Sequence, residues 1–109
     1  MSRTDQLNSV LIKELAELVS KNVYLEGGLI TISYVEISPD LRYASVGVSV
    51  LPDNLAAVAI KKLNHQNWNF SGVLKKKLKL KFIPKFNWKI DNREKYAAEI
   101  EEAIKNISD

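Results

Sequence analysis

The sequence of 109 residues contains no cysteine, one histidine, four glycines and three prolines. The absence of cysteine excludes disulfide scaffolds and cysteine-ligated zinc sites. Because His65 is the only histidine, a histidine-rich metal site and Ser/His/Asp or Cys/His catalysis are both disfavoured. The four glycines do not have the spacing of a phosphate-binding loop. We therefore expect a protein that is not an enzyme and that needs neither a cofactor nor a metal.

Long apolar runs are also missing. No stretch approaches the roughly 20 apolar residues of a membrane-spanning helix, and the N-terminus lacks the basic-then-apolar layout of a secretory signal. No repeat, low-complexity tract or linker divides the chain. These features predict one domain over residues 1–109, located in the cytoplasm, monomeric, and with neither a membrane partner nor a small-molecule substrate.

Acidic residues are absent from the middle of the chain. Residues 54–90 contain nine lysines and no Asp or Glu, whereas residues 1–53 carry 4 basic and 7 acidic side chains and residues 91–109 carry 3 and 6. A solvated surface usually mixes both signs, so this segment indicates a polyanionic partner such as a nucleic acid. Three alternatives remain: a lysine-rich solvated face, lysines that discourage association between sheet edges, and simple helix-end charges at Lys75 and Lys76.

The first half of the chain predicts a helix followed by a β-hairpin. A capping-box pair, Ser2 and Asp5, begins a helix that ends near Asn22, with an apolar stripe of Leu7, Val10, Leu11, Leu15, Leu18 and Val19. Residues 29–37 predict a strand in which one face carries Ile30, Ile32 and Tyr34. The turn sequence Ser-Pro-Asp-Leu at 38–41 leads into a second strand over residues 44–50.

The second half predicts two helices, a strand and a last helix. Pro52-Asp53 begins a helix with an apolar face of Leu55, Ala56, Ala59, Ile60 and Leu63. A second helix follows over about residues 67–77, and weak helix formers predict a break between residues 64 and 69. Period-two alternation predicts a third strand over residues 78–90, with Pro84 at an edge or bulge. Asp91 and Glu94 begin a final helix with a stripe of Tyr96, Ile100, Ala103, Ile104 and Ile107.

The order α-β-β-α-α-β-α predicts an α+β fold with a three-stranded sheet covered by helices on one face. Strand parity then places an outer set of polar residues on the other face: Thr31, Ser33, Ser45, Ser49, Lys77, Lys79, Lys81, Lys85 and Lys89. The aromatic residues Phe82, Phe86 and Trp88 have the opposite parity and are predicted to lie in the core. For Trp68 and Phe70 we favour the core over contact with RNA, and His65 is interpreted as a polar residue at a helix junction.

Two segments carry a resemblance to a known family. The sequence VEISPDLRYA at 35–44 runs into VGVSVL at 46–51, and LKLKFIP at 78–84 is followed by FNW at 86–88 and by Asp91. With the helical pattern from Leu7 to Val19, this combination is similar to the bacterial ribosome-binding factor A proteins. The resemblance covers nearly the whole chain and identifies it as a short, divergent member of that family.

The resemblance implies a KH-like fold of type II order, α-β-β-α-α-β, with an additional C-terminal helix. It also implies an interhelical Ala-x-Gly kink in place of the usual G-x-x-G loop. Here Gln66-Asn67-Trp68 stand at the position of Ala-x-Gly when the chain is counted back from Pro84 without gaps. The implied role is non-catalytic and lies in rRNA processing and maturation of the small ribosomal subunit, with the 30S precursor and its 16S rRNA as partners.

On this reading the lysine-rich segment binds rRNA phosphates. The expected RNA-binding residues are Lys75, Lys76, Lys77, Lys79 and Lys81, flanked by Lys61, Lys62, Lys85, Lys89 and Arg42. Two other functions stay open. The first is a KH-like interaction module that binds an acidic protein. The second is a small-molecule or enzymatic domain, for which the sequence shows no convergent set of polar groups.

Overall fold

The computed structural model describes residues 3–92 and 100–105. Helix α1 covers Arg3–Asn22, strands β1 and β2 cover Leu29–Ile37 and Tyr43–Leu51, helices α2 and α3 cover Ala56–His65 and Asn67–Leu78, and strand β3 covers Lys85–Ile90. A short 3-10 turn precedes α2, and residues 100–105 are helical. The predicted order of elements and the KH-like α+β fold are confirmed.

The sheet has the order β1-β2-β3 with mixed strand directions. β1 pairs antiparallel with β2, and β3 pairs parallel with β2, so that Tyr43 lies beside Lys85 and Gly47 beside Lys89. A parallel neighbour requires a crossover connection, which α2 and α3 provide. The start of β3 therefore lies at the same end of the sheet as the β1–β2 turn.

The core lies between the inner face of the sheet and the helices. β2 is the central strand and contributes four buried residues at alternate positions: Ala44, Val46, Val48 and Val50. α1 packs on β1 and adds Leu11, Leu15 and Val19 to the same core, and these residues recur at the four-residue spacing of one helix face. Val10, which the sequence predicts to lie in the apolar stripe of α1, is exposed instead.

The predicted β1–β2 turn is present and is held by side-chain hydrogen bonds. The Ser38 hydroxyl donates to Asp40 Oδ1 over 2.6 Å, and the Arg42 backbone N–H donates to the same oxygen over 3.1 Å. Leu41 adopts a φ of 64°, in the left-handed region. These bonds also explain why the pKa of Asp40 is lowered: the Ser38 hydroxyl and then the Arg42 N–H stabilise its charged form.

A bulge in β1 reverses the predicted orientation of Tyr34. The pairing register shifts between Ile32 and Tyr34, so Tyr34 lies opposite Gly47 instead of continuing the inner face. Its ring covers Gly47 so closely that a Cβ there would collide with it. The prediction that Tyr34 shares a face with Ile30 and Ile32 is therefore wrong, and Val35 takes the inner position.

The third strand is shorter than predicted. Residues 78–84 are not a strand: Leu78 is the last residue of α3, and Lys79 ends the helix with a φ of 52°. Leu78 extends the helical stripe of Phe70 and Leu74 onto the core, and this packing outweighs the period-two pattern. Pro84 cannot donate a backbone hydrogen bond, so pairing begins at Lys85, whose N–H donates to the Arg42 carbonyl over 2.8 Å.

Two proposed helix starts lie partly or wholly outside the described residues. The Ser2–Asp5 capping box depends on Ser2, and the Asp91–Glu94 box depends on Glu94, and neither Ser2 nor Glu94 is among the residues described. The same holds for Tyr96 and Ile107 of the last apolar stripe, whereas Ile100 and Ile104 are described and exposed.

Candidate nucleic-acid interface

All nine lysines of residues 54–90 are exposed. The structure distributes them over three places, which we name by their position. The α2 lysines are Lys61 and Lys62, the α3-end lysines are Lys75, Lys76, Lys77, Lys79 and Lys81, and the β3 lysines are Lys85 and Lys89. Among the residues described, the exposed positive charge of this segment is therefore densest where α3 ends.

The α3-end lysines are on a helix terminus and a loop, not on a strand. The prediction that Lys77, Lys79 and Lys81 lie on the outer face of the sheet is wrong, because the chain is still helical at Lys77 and does not pair until Lys85. Lys75, Lys76 and Lys77 occupy the last turn of α3, where positive charge also interacts favourably with the helix dipole. The helix end and the following loop thus present their lysines from one short segment.

Lys77 differs from its neighbours because it is paired within the protein. Its ammonium lies 2.7 Å from a carboxylate oxygen of Glu14 on α1. The hydrogen bond and the charge of Glu14 raise the pKa of Lys77. Because this contact links α1 to α3, we interpret Lys77 first as a residue that joins two helices and only second as a phosphate ligand.

The turn between β1 and β2 brings Arg42 to the same end of the molecule. The Arg42 carbonyl accepts the N–H of Lys85, and its guanidinium is exposed, with Nε 4.0 Å from Asp40 Oδ2. Arg42 and Lys81 line one groove of about 650 Å³, which the side chains of α1, the turn and the α3–β3 loop enclose. The structure therefore brings Arg42 to the same groove as Lys81, although 39 positions separate the two residues in the sequence.

The β3 lysines lie on the outer face of the sheet, as parity predicts. Lys85 and Lys89 are exposed on this face beside β2, which contributes Ser45 and Ser49 to it. Thr31 and Ser33 of β1 are exposed, and the Ser33 and Ser49 hydroxyls lie 3.3 Å apart. This part of the polar outer face is confirmed.

The α2 lysines lie near the break between the two helices. They border a concavity of about 330 Å³ together with residues 22–24, His65 and Gln66. The break falls at Gln66, whose ψ of 0° departs from the helical value and whose N–H donates to the Leu63 carbonyl. The kink thus forms here without the Ala-x-Gly sequence, and His65 is an exposed junction residue, as expected.

Two aromatic side chains that the sequence predicts to lie in the core are exposed. Phe86, Trp88 and Phe70 are buried as predicted, but Trp68 is 75% exposed and Phe82 is 78% exposed. Trp68 precedes Phe70 by two positions, which is about 200° around a helix, so the stripe of Phe70 and Leu74 already indicates that Trp68 faces outward. For Phe82 the sequence contains no signal of exposure. The alternating pattern predicts that it is buried in a strand, and no strand forms at this position.

Within the residues that the structure describes, no group of three His, Asp or Glu side chains is arranged to hold a metal ion. The same residues include no helix with the length and apolar character needed to cross a membrane.

Known proteins resemble this chain over most of its length. The family model of ribosome-binding factor A matches residues 3–104. A ribosome-binding factor A of Protochlamydia amoebophila is 32% identical over 112 aligned positions, which cover 99% of this chain and 85% of the relative.

Solved structures show the same fold. The crystal structure of ribosome-binding factor A from Thermus thermophilus superimposes with a TM-score of 0.70 at 20% identity, over 82% of this chain and 97% of the other. A homology model of the Thermus thermophilus protein, fitted into a cryo-EM map of its complex with the 30S subunit, gives a TM-score of 0.67 at 19% identity, over 78% and 91% of the two chains.

Proposed function

The chain belongs to the ribosome-binding factor A family, and from that premise we propose that it is a non-catalytic assembly factor of the small ribosomal subunit. It binds the immature 30S subunit through its 16S rRNA and assists rRNA processing and maturation. Residues 1–109 act as one KH-like domain, as a monomer and without a small-molecule substrate. The complex of the Thermus thermophilus relative with the 30S subunit supports this choice of partner.

One observation carries the proposal. All nine lysines of an acid-free segment are exposed, and five of them follow one another from the last turn of α3 into the next loop. Lysine is a compact point charge that contacts phosphate without a fixed geometry. Such a surface gains affinity by neutralising RNA phosphates. It recognises the shape of the RNA more than the edges of its bases.

The proposed RNA ligands are not equivalent. Lys75, Lys76, Lys79, Lys81 and Arg42 form the main contact, because the four lysines are exposed in one short segment and Arg42 lines the same groove as Lys81. Lys77 takes part while remaining paired to Glu14. The α2 and β3 lysines contact flanking phosphates. Binding at several points favours one rRNA arrangement over another, which is how a protein without catalytic groups can promote maturation.

The proposal is tested by sedimenting the tagged protein with cell lysate through sucrose gradients at low and moderate salt. We expect it to migrate with free small subunits at low salt, to dissociate as salt rises, and to be absent from translating ribosomes. A variant with Lys76→Glu, Lys79→Glu and Lys81→Glu should lose this association. Lys77 is left unchanged so that its contact with Glu14 is preserved.

The matched control reverses three lysines outside the acid-free segment: Lys13, Lys21 and Lys105. Both triple variants have the same net charge, so general electrostatics affects them equally. We expect the control to bind subunits and both variants to keep the wild-type circular dichroism spectrum. Equal loss in both variants, or binding by the α3-end variant, would contradict the proposed surface. A partner that survives nuclease treatment would instead indicate an acidic protein.

A further inference from the structure

The groove that Arg42 and Lys81 line has a volume of about 650 Å³ and carries the exposed aromatic ring of Phe82. Its walls are Leu7 of α1, residues 40–42 of the hairpin turn and residues 80–84 of the α3–β3 loop. Its lining is largely apolar, and both Leu41 and Phe82 leave much of their surface in solvent. An exposed apolar surface of this kind, rimmed by charge, is typical of a binding site.

The walls of the groove are held in place by hydrogen bonds between the segments. The Lys85 N–H donates to the Arg42 carbonyl over 2.8 Å and joins the loop to the turn. The Ile37 N–H donates to Asn8 Oδ1 over 3.2 Å and joins β1 to α1. Pro84 is buried, and it anchors the loop next to the exposed Phe82. The groove is therefore formed before any ligand arrives, which lowers the entropic cost of binding.

The Phe82 ring is exposed, so it can stack against a ligand instead of packing in the core. Its neighbours Ile83 and Pro84 turn inward, whereas its own side chain is 78% exposed. Lys81 Nζ lies 6.0 Å from the centroid of the ring, near the limit of a cation–π contact. An exposed ring with a cation at this distance can stack a flat group while the cation meets a negative charge beside it.

The charges of the groove select an anionic occupant. Arg42 and Lys81 line it, and the one acidic residue among the described residues of its lining, Asp40, already accepts hydrogen bonds from Ser38 and from the Arg42 N–H. An acidic peptide satisfies the cations but gives the flat ring no specific partner. Single-stranded RNA supplies both a planar base and flanking phosphates, so it fits the groove better.

We propose that this groove binds an unpaired RNA segment, with one base stacked on Phe82 and the adjacent phosphates on Lys81 and Arg42. The inference rests on the proposed function and assigns to the groove the preference for unpaired RNA. The α3-end lysines provide affinity that any RNA backbone can use, whereas Phe82 provides a preference for single strands over duplex.

The test measures fluorescence anisotropy of the full chain with two labelled probes, a single-stranded octauridylate and a blunt-ended RNA duplex. Phe82→Ala should weaken single-strand binding about 5- to 100-fold, as expected for loss of one base–aromatic stack, and leave duplex binding unchanged. Phe82→Tyr should bind as the wild type does. Phe82→Leu should behave like Phe82→Ala, because leucine is apolar but cannot stack.

Trp68→Ala is the matched control, since Trp68 is as exposed as Phe82 but does not line this groove. It should leave the difference between the two probes unchanged. Wild-type single-strand affinity in Phe82→Ala or in Phe82→Leu would overturn the stacking proposal. Tighter binding of a hexaglutamate peptide than of octauridylate, lost in Phe82→Ala, would also overturn it and assign the groove to an acidic protein segment.

Failure of this inference is distinguishable from failure of the proposed function. If Phe82→Ala binds both probes normally while reversal of Lys76, Lys79 and Lys81 abolishes subunit binding, the groove proposal is wrong and the assembly-factor proposal stands. If the wild-type protein binds neither probe and does not migrate with small subunits, both proposals are wrong.

Discussion

Four aromatic residues divide into a buried pair and an exposed pair within a short stretch of chain. Phe70 and Trp88 meet edge to face, with centroids 5.9 Å apart, and Phe70 is 0% exposed. Trp68 and Phe82 are exposed beside them in sequence. The residue types are the same in both pairs, so the geometry of the elements that carry them decides their roles. The buried pair holds α3 on the sheet, and the exposed pair is available to ligands.

The largest expected effect contrasts Phe70 with Trp68. Phe70→Ala should lower the free energy of unfolding by about 3–5 kcal/mol, because it removes a fully buried ring and leaves a cavity beside Trp88. Trp68→Ala should change it by no more than about 0.5 kcal/mol, since an exposed side chain contributes little. Urea unfolding followed by circular dichroism measures both. Similar losses in the two variants would show that the buried and exposed pairs do not differ as described.

A second contrast tests the outer face of the sheet. Gly47→Ala should destabilise the protein by about 1–3 kcal/mol, because the new methyl group collides with the Tyr34 ring. The double variant Gly47→Ala with Tyr34→Ala should recover most of the loss relative to Tyr34→Ala alone. Thermal unfolding of the wild type, the two single variants and the double variant gives the coupling energy between Gly47 and Tyr34. The absence of coupling would contradict the placement of Tyr34 over Gly47.

The bond between Trp88 and Asn67 refines the description of the buried pair. The indole Nε1–H donates to Asn67 Oδ1 over 2.6 Å and links β3 to the first turn of α3. Asn67→Ala should cost about 1–2 kcal/mol, since it leaves a nearly buried donor unsatisfied. The same change in a Trp88→Phe background should cost much less. Equal costs in both backgrounds, measured by urea unfolding, would show that the bond does not contribute.

The smallest expected effect concerns the exposed turn that forms one wall of the groove. Ser38→Ala should raise the pKa of Asp40 toward its ordinary value of 3.8, because the Ser38 hydroxyl is the main cause of the lowering. A lowered pKa in the folded state stabilises the turn above pH 3.8, and this contribution is lost as the pH falls through the folded-state pKa. NMR titration of the Asp40 side chain measures both proteins. An unchanged pKa would argue against the hydroxyl contact.

Local patterns predicted most of the fold. The i,i+4 apolar stripe of α1, the alternation in β2 and the Ser-Pro-Asp-Leu turn each depend on neighbours within a few residues, and each is confirmed. The break at Gln66 was also predictable, because weak helix formers surround it. The start of β3 was not, because residues 78–82 satisfy both the helical stripe of Phe70 and the period-two pattern of a strand.

The candidate site shows the same division. The excess of lysines without acidic neighbours is a property of composition, and the sequence alone predicts a polyanionic partner from it. The sequence does not place Arg42 beside Lys81, because that proximity depends on the parallel pairing of β3 with β2 and on the Lys85–Arg42 hydrogen bond. It also does not predict that Phe82 is exposed.

The order of the elements, the hairpin turn and the charge of the middle segment follow from short-range spacing and from residue type, so they can be predicted without the fold. Long-range packing sets where α3 ends and β3 begins, which face of the sheet carries Tyr34, and which aromatic rings are exposed to solvent. Each of these depends on a competition between distant surfaces for burial against the same core, which no local pattern records.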